Sequence, residues 1–146
     1  MKIANKRAFY DYEITDRLEA GINLTGSEVK AIKLDHADLT GSYVRIIGNE
    51  AYLINAKIFP YEYSRPDNYQ EDRTRKLLLH KKEIISLKNK TDGANFGLVP
   101  ISLYDKGGLI KLEVGIGRGK KKFDKKEAKK RHDLDLDIER ELASKR

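Results

Sequence analysis

Apolar and polar side chains alternate with the two-residue period of β-strands over several stretches of the chain. This alternation predicts a first strand at residues 9–14 and a hairpin over residues 96–119 that turns at residues 106–108. Another hairpin is predicted at residues 43–59, because two β-rich runs flank Gly48-Asn49, a pair that suits a two-residue turn. The pattern therefore favours antiparallel pairing of neighbouring strands.

The segments between these strands have weaker patterns. Residues 16–22 follow a possible cap, Thr15 or Asp16, which predicts one or two helical turns. Residues 27–34 alternate imperfectly and predict a bulged strand. Residues 60–72 contain two of the three prolines and no periodicity, so they predict a long loop.

Residues 74–91 fit two interpretations, a single helix or a strand that turns into a helix. The second is preferred, because His80 and Glu83 have the spacing of a helix cap and Asp92-Gly93 is a typical end signal. In that strand Leu78 points to the side of Lys76, away from its apolar neighbours. An apolar side chain among basic residues on an outer face favours contact with RNA.

About six strands, two short helices and no internal repeat predict a mainly β, α+β fold. Strands that arrive as hairpins favour a small, closed antiparallel barrel, and the oligonucleotide-binding type of barrel is the natural candidate. The barrel is expected over residues 1–118 and a basic C-terminal tail over residues 119–146.

Positive charge is concentrated in one short segment. The 146 residues have a net charge of +7, and residues 117–131 alone contain nine basic and two acidic residues. Concentrated basic charge favours a polyphosphate partner, since each neutralised phosphate releases counterions. No run reaches the roughly 18 to 20 apolar residues of a membrane span, the N-terminus has no secretory pattern, and cysteine is absent. A cytoplasmic location without a membrane partner is expected.

Motifs for catalysis or metal binding are missing from the sequence. The three histidines are isolated from one another, no serine lies in a G-x-S-x-G elbow, and there is no thiol nucleophile. We therefore expect no catalytic residue, metal or cofactor. A metal-dependent nuclease remains the enzymatic alternative, with the acidic residues Asp11, Glu13, Glu19 and Glu28.

Four motifs occur together in a specific order: "NKRAFYDYEI…RLEAGINLTGSEVKAIK", "DLTGSYVRI", "DRTRKLLLHKKEI" and "GRGKKKFDKK". With these motifs the chain resembles the SmpB family, the SsrA-binding proteins of bacterial trans-translation, from Ala4 to about Arg131. The resemblance implies an oligonucleotide-binding barrel with short flanking helices and a tail that is disordered when free and helical on the ribosome. It also implies a monomer that is not an enzyme.

The partners implied by the resemblance are the tRNA-like domain of transfer-messenger RNA (tmRNA) and the stalled ribosome, with its small-subunit rRNA and mRNA channel. Elongation factor Tu would meet the protein indirectly, on alanyl-tmRNA. The family motifs place RNA-binding roles on Asn5, Glu19 and Leu78. Nearby basic residues would neutralise phosphates of the RNA: Lys6, Arg7, Arg75 and Lys76.

The same resemblance implies that the tail lets the decoding centre accept a tRNA-like molecule without an anticodon. Family members usually have His where this chain has Phe123, a change that keeps stacking but removes hydrogen bonding. The implied tail residues are Lys120, Lys121, Lys122, Phe123, Asp124, Lys125, Lys126, Lys129, Lys130 and Arg131. A general RNA-binding, ribosome-associated barrel is the alternative within the binding class.

Overall fold

The computed structural model describes residues 2–63, 67–92, 96–120 and 136–142. Nine strands and three helices have assigned bounds within these ranges, and residues 136–142 form a further helical segment. In chain order the elements are β1 (Lys2–Ala4), α1 (Ala8–Asp11), β2 (Tyr12–Ile22), α2 (Gly26–Lys33), β3 (Ala37–Asp38), β4 (Tyr43–Ile47), β5 (Glu50–Ile54), β6 (Lys57–Ile58), β7 (Arg75–Leu78), α3 (Lys81–Thr91), β8 (Phe96–Lys106) and β9 (Leu109–Gly119).

Six strands form a closed antiparallel ring in the order β8, β4, β5, β7, β2, β9, and the β8–β9 pairing closes it. Strand β1 adds to β8, and β3 with β6 forms a separate two-stranded sheet. The predicted small barrel is confirmed. Its interior is filled by alternate apolar side chains: Ala20, Ile22, Val44, Leu53, Leu77, Leu98, Leu103, Leu112 and Val114.

Both predicted hairpins are confirmed, and their turns have the expected backbone. Gly48 has a φ of 64°, and the β8–β9 turn uses Gly107 and Gly108 at 60° and 86°, values that glycine adopts without a steric penalty. Gly117 allows the close approach of β2 and β9, because an added Cβ would lie 2.3 Å from the carbonyl oxygen of Glu13.

The predictions for residues 9–14 and 16–22 are wrong in their bounds and type. Ala8–Asp11 is a single helical turn, and β2 then runs through to Ile22 without a helix. The physical reason is pairing: β2 lies against β9 from Tyr12 to Gly21, with one irregularity between Ile14 and Asp16. The hydrogen bonds of this long ladder outweigh the local capping signals.

The bulged strand predicted at residues 27–34 is also wrong, since Gly26–Lys33 is helix α2. Thr25 accepts a hydrogen bond from the backbone N–H of Glu28, whose side chain accepts one from the backbone N–H of Thr25. This capping box stabilises the first turn. The helix predicted after residue 80 is confirmed as α3, with Glu83 accepting from the backbone N–H of His80.

Candidate RNA interface

Glu19 and Leu78 are brought together on the outer surface of β2 and β7. Gly21 pairs with Leu78 in the ladder between these strands, and Glu19 lies two residues before Gly21, on the same face of β2. An added Cβ at Gly21 would lie 3.1 Å from the Cβ of Leu78, so the leucine packs across the glycine. Leu78 remains 55% exposed. It presents an apolar surface next to a carboxylate.

The carboxylate of Glu19 is held by two donors from the end of β8. The Tyr104 hydroxyl donates to Oε2, and Lys106 Nζ lies 3.3 Å from both carboxylate oxygens. The hydrogen bond from Tyr104 is the largest influence and lowers the pKa of Glu19, desolvation acts in the opposite direction, and the hydrogen bond from Lys106 lowers the pKa further. Burial and the hydrogen bond to Glu19 raise the pKa of Tyr104. Near neutral pH the pair is therefore a neutral phenol and an ionised carboxylate.

Lys76 extends this surface along β7. It lies on the same face of the strand as Leu78 and pairs with Tyr52 of β5. Its ammonium group lies 3.5 Å from the Glu50 carboxylate, and both side chains are more than 40% exposed. An exposed ion pair of this kind contributes little to stability. Lys76 is therefore available to exchange Glu50 for a phosphate. The surface formed by Glu19, Lys76, Leu78, Tyr104 and Lys106 is called the Glu19 face below.

Helix α1 carries two exposed aromatic rings, Phe9 and Tyr10, each of which contacts an arginine outside the helix. The Arg7 guanidinium lies 5.0 Å from the ring centroid of Tyr10 and bonds both carboxylate oxygens of Asp11 at 3.2 Å. Arg17, on the same side of β2 as Glu19, lies 5.0 Å from the ring centroid of Phe9. Phe9 and Tyr10 are 48% and 57% exposed. These contacts fit stacking on bases and pairing with phosphates.

Sequence reasoning did not single out Phe9 and Arg17. A signal was present in the adjacent aromatic pair "FY" with an arginine on each side, at Arg7 and Arg17. It was obscured by the strand predicted at residues 9–14, because strand aromatics usually pack in a core. Lys6, which sequence did single out, is exposed beside this helix.

Asn5 lies beneath α1 rather than on the surface. It is 7% exposed, and its amide nitrogen donates to the Pro100 carbonyl at 2.9 Å. Its side-chain oxygen accepts from the backbone N–H of Arg7 at 3.3 Å, and its carbonyl accepts from Ala8 at 3.1 Å. Asn5 thus fixes the start of α1 and the position from which Arg7 projects.

The expectation that Arg75 neutralises a phosphate is corrected by its location. Arg75 points into the barrel, like Leu77, and its side chain is 0% exposed. Its guanidinium donates to Glu28 Oε2 through Nε at 2.9 Å and Nη2 at 2.6 Å, and it also donates to the carbonyls of Ala56, Arg73 and Glu71. A phosphate at the surface cannot reach this group.

Glu28 is the centre of that buried cluster. Besides Arg75 it binds Arg73, which lies 3.2 Å from Oε2 through Nε and also contacts Oε1 through Nη2, and it accepts from the Tyr69 hydroxyl at 3.3 Å. Burial alone would raise its pKa, but the hydrogen bonds from Arg73, the Thr25 backbone and Arg75 lower the pKa to about 2. The cluster joins α2 to β7 and to the segment before it.

Lys120 marks where the basic tail leaves the barrel. Its backbone N–H donates to the Asp11 carbonyl and its Nζ to the Phe9 carbonyl, each at 2.8 Å. The tail therefore starts at α1. The other predicted tail residues, from Lys121 to Arg131, lie outside the described residues. Further on, Ile138 of the helical segment 136–142 packs against Tyr43 and Ile54 and is 8% exposed.

Neither a metal-binding cluster nor a membrane-spanning helix is present in the described ranges. Those ranges contain no group of three or more His, Asp or Glu side chains arranged to hold a metal ion. No helix within them has both the length and the apolar character needed to cross a membrane.

The sequence was compared with known proteins. The family model described as SmpB protein matches residues 2–144. An SsrA-binding protein of Pelobacter propionicus is 41% identical over 141 residues, which cover 97% of this chain and 93% of the relative. One of Streptococcus thermophilus is 44% identical over 140 residues, covering 96% and 91% of the two chains.

A solved structure supports the same assignment. A chain from the structure described as "tmRNA-SmpB: a journey to the center of the bacterial ribosome" is 42% identical and has a TM-score of 0.70. The match covers 85% of this chain and 87% of that one. With its family match, its relatives and its closed barrel, this chain belongs to the SmpB family of SsrA-binding proteins.

Proposed function

We propose that this protein binds the tRNA-like domain of tmRNA and delivers it to stalled ribosomes in trans-translation. Membership of the SmpB family supports the RNA partner, and the similar chain from a tmRNA–SmpB ribosome structure supports the ribosome. The observation that carries the proposal is the exposed Leu78 of the Glu19 face, which packs across Gly21, two residues along β2 from the carboxylate that Tyr104 holds.

The Glu19 face fits RNA better than a protein partner. Leu78 offers an apolar floor for a base or a sugar, while the carboxylate of Glu19 accepts hydrogen bonds from base or ribose donors. Lys6, Arg7 and Lys76 are exposed and supply positive charge for phosphates. Asn5 contributes by anchoring α1, and its direct contact with RNA stays a prediction.

The basic tail is the part proposed to meet the ribosome. In this proposal the segment from Lys120 to Arg131 enters the mRNA channel and becomes helical on small-subunit rRNA, with its ordering entropy offset by binding. The protein acts as a monomer in the cytoplasm, has no catalytic activity or cofactor of its own, and meets elongation factor Tu only through alanyl-tmRNA.

A gel-shift titration with full-length protein tests the proposal. The protein should bind tmRNA at least about tenfold more tightly than bulk RNA of equal length, a difference of roughly 1.4 kcal/mol. Equal affinities would contradict the proposal and favour the general RNA-binding factor. Magnesium-dependent RNA cleavage that is lost in Asp11→Asn would also contradict the proposal, and it would favour the metal-dependent nuclease.

A further inference from the structure

Two carboxylates lie directly opposite each other on the outer surface of the barrel. Glu19 of β2 pairs with Glu113 of β9, and like charges at such positions destabilise a sheet unless each has its own partners. Glu113 accepts a hydrogen bond from Arg17 Nη1 at 3.2 Å on one carboxylate oxygen and one from the Ser102 hydroxyl at 3.3 Å on the other. Its side chain is only 22% exposed. Glu113 is therefore satisfied within the protein.

Glu19 is held in a different way. Its side chain is 36% exposed, and one of its two partners, Lys106, is itself 66% exposed and can move away. The other partner, Tyr104, is a neutral donor near the end of β8, so it fixes the carboxylate without neutralising it. A carboxylate accepts about four hydrogen bonds, so Glu19 keeps acceptor capacity beyond the bonds from Tyr104 and Lys106.

The ladder register places Tyr104 and Leu78 in one row. Tyr104 pairs with Lys111, Lys111 pairs with Gly21, and Gly21 pairs with Leu78, so all four residues lie on the same face across β8, β9, β2 and β7. Glu19 is in the adjacent row of that face. The phenol thus fixes the acceptor atoms of Glu19 at the edge of the apolar surface that Leu78 provides.

We propose that Tyr104 is a positioning residue for RNA binding, which holds the Glu19 carboxylate so that it reads the donor edge of an unpaired guanine resting on Leu78. Guanine is favoured because its Watson–Crick edge has adjacent N1–H and N2–H donors that match the two oxygens of a carboxylate. Lys106 moves from Glu19 to a neighbouring phosphate when the base binds. The inference deepens the proposed function and depends on it.

Full-length Tyr104→Phe tests the positioning role, because it removes one hydroxyl and keeps the ring. We expect tmRNA affinity to fall about tenfold, as for loss of a hydrogen bond to a charged group. In a Glu19→Gln background the same change should alter affinity by less than about twofold, since Tyr104 acts through Glu19. A carboxyl NMR titration should also show a higher pKa for Glu19 in Tyr104→Phe. The matched control is Tyr63→Phe, at the most exposed tyrosine on the loop after β6, which should bind like wild type.

Substitution of guanine by inosine in the single-stranded loops of the tRNA-like domain tests the base. Inosine lacks the exocyclic N2 donor, so wild type should lose affinity and Glu19→Gln should be nearly insensitive. Normal binding by Tyr104→Phe, an undiminished effect in the Glu19→Gln background, or equal inosine losses for wild type and Glu19→Gln would each overturn the inference. Failure of wild type itself to prefer tmRNA would instead overturn the proposed function.

Discussion

Glu28 and Glu19 both have lowered pKa values, yet one belongs to the interior and the other to the surface. Glu28 is ionised because the buried Arg75 and the partly exposed Arg73 both bind it, and no oxygen of this carboxylate reaches solvent. Glu19 is ionised because a tyrosine and an exposed lysine bind it at the surface. A charge with buried, fully bonded partners serves the fold, whereas a charge held by one fixed and one exposed partner can serve recognition.

The largest effect is expected from breaking the interior pair. Arg75→Met leaves Glu28 buried with only the partly exposed Arg73, and we expect a loss of about 3 to 5 kcal/mol in the free energy of unfolding. Urea denaturation measures it. The neighbouring exposed residue supplies the control, since Lys76→Met should change stability by less than about 0.5 kcal/mol. If the Arg75→Met variant were as stable as wild type but bound RNA more weakly, Arg75 would have to be assigned to the RNA interface.

Acidification should weaken the same pair more gradually. The pKa of Glu28 is lowered from an ordinary value of 4.5 to about 2, so the folded state binds this proton less readily than the unfolded state. The stabilisation, on the order of 3 kcal/mol, is fully present above pH 4.5 and is lost as pH falls through 4.5 toward 2. Urea titrations from pH 7 to pH 2.5 should bring wild type and Glu28→Gln closer together. A constant difference between them would contradict the assignment.

At the Glu19 face we expect the opposite result, in which a substitution weakens RNA binding and leaves stability nearly unchanged. Leu78→Ala should weaken tmRNA binding by roughly 1 to 3 kcal/mol, as for loss of a base contact, and leave stability nearly unchanged because Leu78 is 55% exposed. Filter binding and thermal unfolding measure the two quantities. Ile85→Ala on α3 is the matched control, as it removes a similarly exposed aliphatic group (49%) from another element. Equal losses of affinity in both variants would show that exposed apolar area, not this site, matters.

The smallest change in RNA affinity is expected from removing the tail. Truncation after Lys120 keeps the two hydrogen bonds to α1, and it should alter binding to isolated tmRNA by less than about twofold while tagging on stalled ribosomes is lost. Truncation after Gly119 removes those bonds and serves as the comparison. A large loss of tmRNA affinity with either protein would place the tail within the primary RNA site.

The elements that sequence predicted well are those whose signals are local. The two hairpins have glycine turns between alternating strands, and α3 has its cap residues at the right spacing. Strand β2 was missed because its type is decided by pairing with β9, nearly a hundred residues away in sequence. Helix α2 was missed although Thr25 and Glu28 have the spacing of a capping box, and its buried Glu28, Ala31 and Ile32 follow the helical period.

The site divides in the same way. Alternation in β7 already placed Leu78 outward with Lys76, but Arg75 was expected to neutralise a phosphate. Only the structure supplies Glu28 as the partner that makes a buried arginine stable. The bond between Tyr104 and Glu19 joins residues 85 positions apart, so no spacing rule could indicate it. The family motifs indicated Glu19 but not Tyr104 and Lys106, the residues that hold its carboxylate.

The hydrogen bonds of Lys120 to α1 have a geometric consequence for the working complex. Lys120, the first residue of the tail, is bound to α1, and Arg7 immediately precedes that helix, so an RNA bound at Arg7 lies near the start of the tail. Sixteen peptide units separate residue 120 from residue 136, a reach of at most roughly 55 Å when fully extended. An RNA bound at α1 therefore lies beside the first residue of the tail, and the length of the chain sets an upper limit on the distance between that RNA and residue 136.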